Sequence, residues 1–316
     1  MAVPEWVEPQ LATLTQDRFS DPSWVYERKL DGERCLTFRD RDVRLLTRNE
    51  KDVTSTFPEV AAALTAGIAA GCVLDGEIVA FDGDETRFER LQQRLGVVHP
   101  SDELLRDYPV VYYVFDVMFA AGRDIRPLPQ LERKRVLKEL LGTGAAVRYT
   151  EHRSGDGVAF WHQACADGWE GLIAKNSDAP YQAGRTRNWL KFKCLAGQEF
   201  VIGGFTDPQR SRQGFGALLL GYYDSDGTFC YAGKVGTGFD TRTLNALRAR
   251  LDELELPASA FQLGKPPTAG THWVRPELVG QIEFAEWTRD GLLRQPRFQG
   301  LRDDKSATEV VRERPV

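Results

Sequence analysis

A two-domain α+β protein is predicted by three features of this sequence. Short apolar runs bounded by turn residues recur between residues 24 and 200, helical patterns fall among them, and past residue 197 strands separated by Gly/Asp turns dominate. With 316 residues and 42% hydrophobic content, the chain can fill two cores.

In the first domain, expected over 1–196, the runs 24–26, 36–38, 43–46, 72–74, 78–81, 110–115 and 172–174 read as strands, since β-branched and aromatic residues cluster there between turn formers. Segments 57–70, 88–94, 131–141 and 158–167 read as helices, with Leu137, Leu140 and Leu141 at the spacing of a buried stripe. A regular strand–helix alternation and a Gly-x-Gly-x-x-Gly turn are both missing, which excludes a dinucleotide-binding fold. Leu195-Ala196-Gly197-Gln198 reads as a hinge. In the second domain, 197–316, the runs 200–205, 217–223, 229–234 and 281–287 read as strands and 244–254 as a helix. That is the content of a small five-stranded barrel of the oligonucleotide-binding (OB) type.

Composition narrows the function. No apolar run approaches the ~20 residues of a membrane span, and the N-terminus lacks the basic and apolar regions of a signal peptide, so a cytoplasmic protein is expected. The five cysteines are far apart and odd in number, and read as reduced core thiols; the four histidines are scattered and suggest neither a zinc site nor a histidine-centred hydrolase. Net charge is −5, from 41 basic and 46 acidic residues, which argues against coating nucleic acid with the whole surface. Locally the balance reverses: Lys175, Arg185, Arg187, Lys191 and Lys193 fall within twenty residues that contain the single acid Asp178. The lysines interleave with Trp189 and Phe192 in a strand-like pattern, so Lys191 and Lys193 share one face.

Lys29-Leu30-Asp31-Gly32-Glu33-Arg34 follows the first apolar strand and reads as a strand end delivering a nucleophile. A lysine amine attacks phosphorus only when deprotonated, and Arg34 is a neighbouring cation that favours the neutral form; Gly32 permits a tight turn and close approach to a phosphate. A solvated surface turn is the alternative for this run taken alone. Its companions are Glu27, Thr47-Arg48-Asn49, Asp75-Gly76-Glu77, Phe115-Asp116, Glu170 to Lys175, Trp189 to Lys193, and the stretch from Arg294 to Lys305, each placed where a strand ends or a turn begins.

In order and spacing these runs resemble the nucleotidyltransferase motifs of the ATP-dependent DNA ligases, most closely the small bacterial type: the stand-alone ligase C group and the ligase module of the end-joining ligase D. The resemblance implies an adenylation domain followed by an OB-fold domain. It also implies nick sealing in DNA repair: Lys29 attacks the α-phosphorus of ATP, AMP passes to a 5′-phosphate, and a 3′-hydroxyl displaces it. Glu77 and Glu170 are then the carboxylates for Mg²⁺ or Mn²⁺. Lys191 and Lys193, assisted by Lys175, neutralise charge on the phosphoryl oxygens. Phe115 stacks on adenine, Glu27 accepts from its exocyclic amine, and Arg34 and Arg48 contact ribose or phosphate, Arg48 later holding the DNA 5′-phosphate. Arg294, Asp304 and Lys305 touch the β- and γ-phosphates, and Arg185, Arg187, Arg210 and Arg212 grip DNA. Nicked duplex DNA is the implied partner of a monomer working in the bacterial cytoplasm at the nucleoid, with DNA-repair proteins as further partners. An RNA ligase, an mRNA capping guanylyltransferase and a non-catalytic nucleic-acid-binding module are the alternatives.

Overall fold

The computed structural model describes residues 3–142, 144–194, 196–208 and 214–313. The chain divides after Cys194 into two units, where the sequence places the boundary at 196/197. The expected hinge is partly structured: Ala196, Gly197 and Gln198 open a strand and pair with Phe284, Glu283 and Ile282.

In the first unit β1 (Gln10–Leu14), β2 (Trp24–Arg28), β3 (Glu33–Arg39), β4 (Val43–Thr47), β5 (Cys72–Asp82), β6 (Glu85–Thr86), β7 (Val110–Ala120), β8 (Arg123–Asp124), β9 (Val147–Tyr149), β10 (His152–Ser154), β11 (Gly171–Asn176) and β12 (Gly184–Lys193) build two sheets. One runs β1-β12-β11-β2-β10; the other runs β4-β3-β5-β7-β8, with β6 beside β5 and β9 beside β7. Helices α1 (Pro58–Gly67), α2 (Phe88–Leu91), α3 (Asp102–Asp107), α4 (Gln130–Leu140) and α5 (Gly157–Ala166) lie between strands. Pro58 starts α1 at the position where a missing N–H is harmless, and its Val60 and Leu64 pack on Leu45, Leu74 and Ile78 of the second sheet.

Two motifs expected at strand ends lie inside strands instead. Asp75-Gly76-Glu77 falls within the eleven-residue β5 and Phe115-Asp116 within β7. Both aspartates are fully buried yet paired, Asp75 with Arg34 and the Tyr181 hydroxyl, Asp116 with Arg133 and Gln130. A carboxylate whose charge is met across the fold need not reach solvent, so it does not end the strand.

The cysteine expectation holds for Cys35, Cys72 and Cys230, which are free and buried, and fails for the other two. Cys165, at the end of α5, is disulfide-bonded to Cys194, just past β12, with Cα atoms 5.3 Å apart. Their 29-residue separation hides the proximity, which the α5–β11–β12 path creates. Cys165→Ser should lower the stability of this unit by about 2–4 kcal/mol in urea unfolding, and the same loss should follow reduction of the wild type. Alkylation in denaturant without reductant that finds five free thiols would remove the disulfide.

In the second unit β13 (Ala196–Thr206), β14 (Leu218–Tyr223), β15 (Phe229–Val235), β16 (Glu255–Leu256), β17 (Thr271–Val274), β18 (Val279–Phe284), β19 (Glu286–Trp287), β20 (Leu293–Arg294) and β21 (Arg297–Leu301) accompany α6 (Thr241–Asp252). The first half of β13 pairs with β18 and the second with β14 and β17, so the sheet curls about this one long strand into an OB-fold. Phe200, Ile202, Leu218, Leu220 and Ile282 fill it, and Leu244, Leu247 and Leu251 of α6 close it. Asp240 caps α6, accepting from the Thr243 N–H at 2.7 Å.

His272 in β17 lies between two carboxylates, Nδ1 2.7 Å from Glu255 and Nε2 2.9 Å from Asp207, and its ring stacks on Phe205. Only the imidazolium can donate to both, and these hydrogen bonds, with Glu255 first, raise its pKa. A pKa raised on folding adds stability that is full below the unfolded value of about 6.5 and fades as pH climbs through the folded value. The stability gap between wild type and His272→Gln should therefore shrink from about pH 5.5 to pH 8.5. A gap constant over that range would mean the ring is neutral.

Candidate active site

Strand β2 ends at Arg28, and the Lys29 N–H donates to the Gly171 carbonyl at 2.9 Å, which ties the turn to the start of β11. Two glycines make room for it. A Cβ on Gly32 would stand 2.2 Å from the Ile78 carbonyl oxygen, and Gly171, at φ +142°, would bring a Cβ to 2.0 Å from the Phe192 carbonyl oxygen.

Register then assembles the cations. Ile173 lies opposite both Glu27 and Lys191, and Gly171 opposite Lys193, so by the two-residue period Glu27, Lys175, Lys191 and Lys193 share one face of the five-stranded sheet. Lys29 Nζ is ion-paired with Glu170. Burial pulls the pKa of this amine down, but Glu170, with Asp31 and Glu77 behind it, outweighs burial and holds it above the ordinary value. The lysine is thus protonated at rest.

On the facing sheet Arg34 lies opposite Glu77, which lies opposite Tyr113. Arg34 forks onto Asp75 at 2.5 and 2.6 Å and sets its guanidinium 4.6 Å from the Phe115 ring centre. Burial disfavours its charge, and Asp75 more than compensates. Lys175 bridges the sheets: its Nζ is 4.4 Å from the Phe115 ring, 4.1 Å from Trp189 and 2.8 Å from Glu27 Oε2. Glu27 is itself 2% exposed, and its other oxygen takes Lys134 of α4.

The remaining expected residues lie elsewhere. Arg48 is half-buried in the turn after β4. Arg185 and Arg187 are exposed at the start of β12, and Arg185 donates to the Ala12 carbonyl. In the second unit Arg294 pairs with Glu286 at 2.6 Å, Asp304 holds Arg302 by two 2.9 Å bonds, and Lys305 meets Glu199 at 2.9 Å. Arg210 and Arg212 lie outside the described residues.

Next to Phe115 and Trp189 runs a buried polar network that sequence reading missed: Arg133 forks onto Asp116 at 2.8 and 2.9 Å, Gln130 donates to Asp116, and the Trp189 indole donates to Gln130. The signal was the spacing of Gln130, Arg133, Lys134 and Leu137, which is the buried stripe of α4. Among the described residues no group of three or more His, Cys, Asp or Glu side chains could hold a metal ion. Glu170 and Glu77 both act on the Lys29 ammonium, and one or two carboxylates, completed by phosphate and water oxygens, is a donor set of the kind Mg²⁺ commonly takes.

Residues 9–193, more than half of the chain, match the family model of the ATP dependent DNA ligase domain, and 211–305 match that of the ATP dependent DNA ligase C terminal region. The chain belongs to the ATP-dependent DNA ligase family. Among its ligase relatives is the multifunctional non-homologous end joining protein LigD of Pseudomonas aeruginosa, 38% identical over 323 residues, covering 99% of this chain and 37% of LigD. The corresponding DNA repair protein LigD of Mycobacterium tuberculosis is 36% identical over 312 residues, covering 96% and 40%. The chain thus spans about two fifths of the length of these curated relatives. A solved mycobacterial DNA ligase D, complexed with ATP and MES, is 34% identical with a TM-score of 0.70 and covers 97% of this chain and 98% of its own. The two-unit ligase fold, a nucleotidyltransferase domain followed by an OB-fold domain, is therefore shared along nearly the full chain. Among the described residues no helix is long and apolar enough to cross a membrane.

Proposed function

We propose that this chain seals nicks in duplex DNA with ATP, as the ligase activity of an end-joining repair system. The observation that carries the reading is Lys29 at the strand end, paired with Glu170, on a sheet whose Lys175, Lys191 and Lys193 share one face, with Lys175 against the Phe115 ring. Lys29 Nζ, once it has shed its proton, attacks the α-phosphorus; the bond to the bridging oxygen breaks and pyrophosphate leaves. Lys191 and Lys193 meet the charge gathering on the non-bridging oxygens. The DNA 5′-phosphate then takes AMP from Lys29, and the 3′-hydroxyl attacks that phosphorus and expels AMP. Glu77 and Glu170 would hold Mg²⁺, which would supply Lewis-acid stabilisation of the phosphates when bound.

Phe115 supports the base, with Glu27 and Lys175 at its polar edge and Arg34 and Arg48 at the ribose and phosphates. Arg48, Arg185, Arg187, Arg210 and Arg212 contact DNA. The protein works as a monomer in the cytoplasm alongside other DNA-repair proteins. Arg294, Asp304 and Lys305 engage the β- and γ-phosphates, which leave in the first step, so Lys305→Ala should lose most lysine adenylylation yet seal a nick already carrying 5′-AMP at nearly the wild-type rate. Equal loss in both assays would place Lys305 in the DNA-bound state instead.

Incubation with α-labelled ATP or GTP and Mg²⁺, followed by a chase with nicked DNA or nicked RNA, tests the whole reading. Label from ATP on the protein that moves to DNA is expected. Transfer to RNA would make the chain an RNA ligase, uptake of GTP a capping enzyme, and no uptake a binding module.

A further inference from the structure

Lys134 has no part in the scheme above, yet it is among the most deeply buried cations of the first unit, 1% exposed on the inner face of α4. Its Nζ bonds Glu27 Oε1 and the Thr150 carbonyl, 3.0 Å away, and lies 4.6 Å from the Tyr149 ring centre. The other Glu27 oxygen belongs to Lys175, so the buried row is cation, anion, cation. Lys175 alone balances Glu27. A second buried ammonium is surplus charge, and such a group is expensive to desolvate unless its position does something.

That position fixes Glu27 from behind. With Oε1 tied to α4, the carboxylate offers Lys175 one oxygen rather than two, and the Lys175 ammonium stays against Phe115 and Trp189, at the wall assigned above to the nucleotide base. We propose that Lys134 is a positioning residue for ATP: it anchors Glu27, whose carboxylate in turn holds the Lys175 ammonium as a hydrogen-bond donor toward the acceptor edge of the bound base. This rests on the nucleotide site proposed above.

The groups around Lys175 set how the arrangement responds to pH. Burial lowers its pKa first and foremost, Glu27 and Asp116 pull it up, Lys134 pushes it down, and it settles at about 8. Arg133 is already engaged by Asp116, while Tyr149 and His152 border Lys134. ATP affinity should therefore fall as pH rises through about 8. Removing the Lys134 charge removes a repulsion, so Lys175 should hold its proton to higher pH.

The test measures the ATP dependence of lysyl-AMP formation between about pH 7 and 9.5 for wild type, Lys134→Met and Lys134→Arg. Lys134→Met should raise the half-saturating ATP concentration about tenfold at pH 7 with the maximal rate within about twofold, and should displace the alkaline loss of affinity upward; Lys134→Arg should restore most of the affinity. If the Met variant does not fold, Lys134→Gln, which retains a donor for Thr150 and Glu27 without the charge, should show the same displacement. An unchanged half-saturation and alkaline limb in a folded, uncharged variant overturns the proposal, as does a loss confined to the maximal rate. Wild type that takes no label from ATP overturns the functional reading and this proposal with it; labelled wild type beside an unshifted variant overturns the role of Lys134 alone.

Discussion

Lys29→Ala should abolish covalent AMP transfer to the protein, a loss of at least about a thousandfold, because no other side chain at the β2 end can replace the nucleophile. Folding should change by less than about 1 kcal/mol, since the ion pair it leaves with Glu170 is partly solvent-exposed. Lys29→Arg should fail as completely, for a guanidinium keeps its proton. The wild-type amine begins protonated, so adenylylation should rise with pH until enough free amine is present. Intact-protein mass measurement after incubation with ATP decides the point; a full AMP adduct on Lys29→Ala would move the nucleophile elsewhere.

The largest effect on stability should come from Asp116→Ala. Asp116 and Arg133 are both fully buried and joined by two hydrogen bonds, and deleting the acid strands a guanidinium with no access to water. Breaking such a pair costs about 3–5 kcal/mol, enough to threaten folding of a domain of ordinary stability. Burial alone would raise the carboxyl pKa, but Arg133, then Lys175 and Gln130, override it and hold it below the usual range. A folded pKa below the unfolded one gives stability that is full above about pH 4 and is lost as pH falls further. Urea midpoints of wild type and variant should therefore lie far apart at neutral pH and converge in acid. A difference under about 1 kcal/mol at pH 7 would mean that water reaches Arg133.

Much of the candidate site was legible along the chain because its grouping is local. The alternation from Trp189 to Lys193 placed Lys191 and Lys193 on one side of a strand, and the pairing with β11 agrees. Gly32 beside Lys29 announced a close backbone approach, and the Ile78 carbonyl lies where a side chain would have been. Most expected strands and helices formed with ends shifted by a few residues, since hydrophobic period depends on neighbours three or four positions away, but the runs 72–74 and 78–81 joined into the one strand β5 and the run 281–287 divided into β18 and β19. Other elements gave weaker local signals: β17 and β21 are short and mixed in polarity and take their place from the pairing partners β13 and β18.

What tertiary structure alone decided are the long-range pairings. Asp75 and Asp116 carry strand-ending chemistry in isolation and become interior residues when Arg34 and Arg133 reach them from 41 and 17 residues away. Cys165 and Cys194 are solitary in sequence and bonded in space. Lys134 meets Glu27, 107 residues distant, only through folding. Charge and thiol chemistry depend on what stands within a few ångströms, and sequence period reports which face a side chain takes but not which distant partner meets it there.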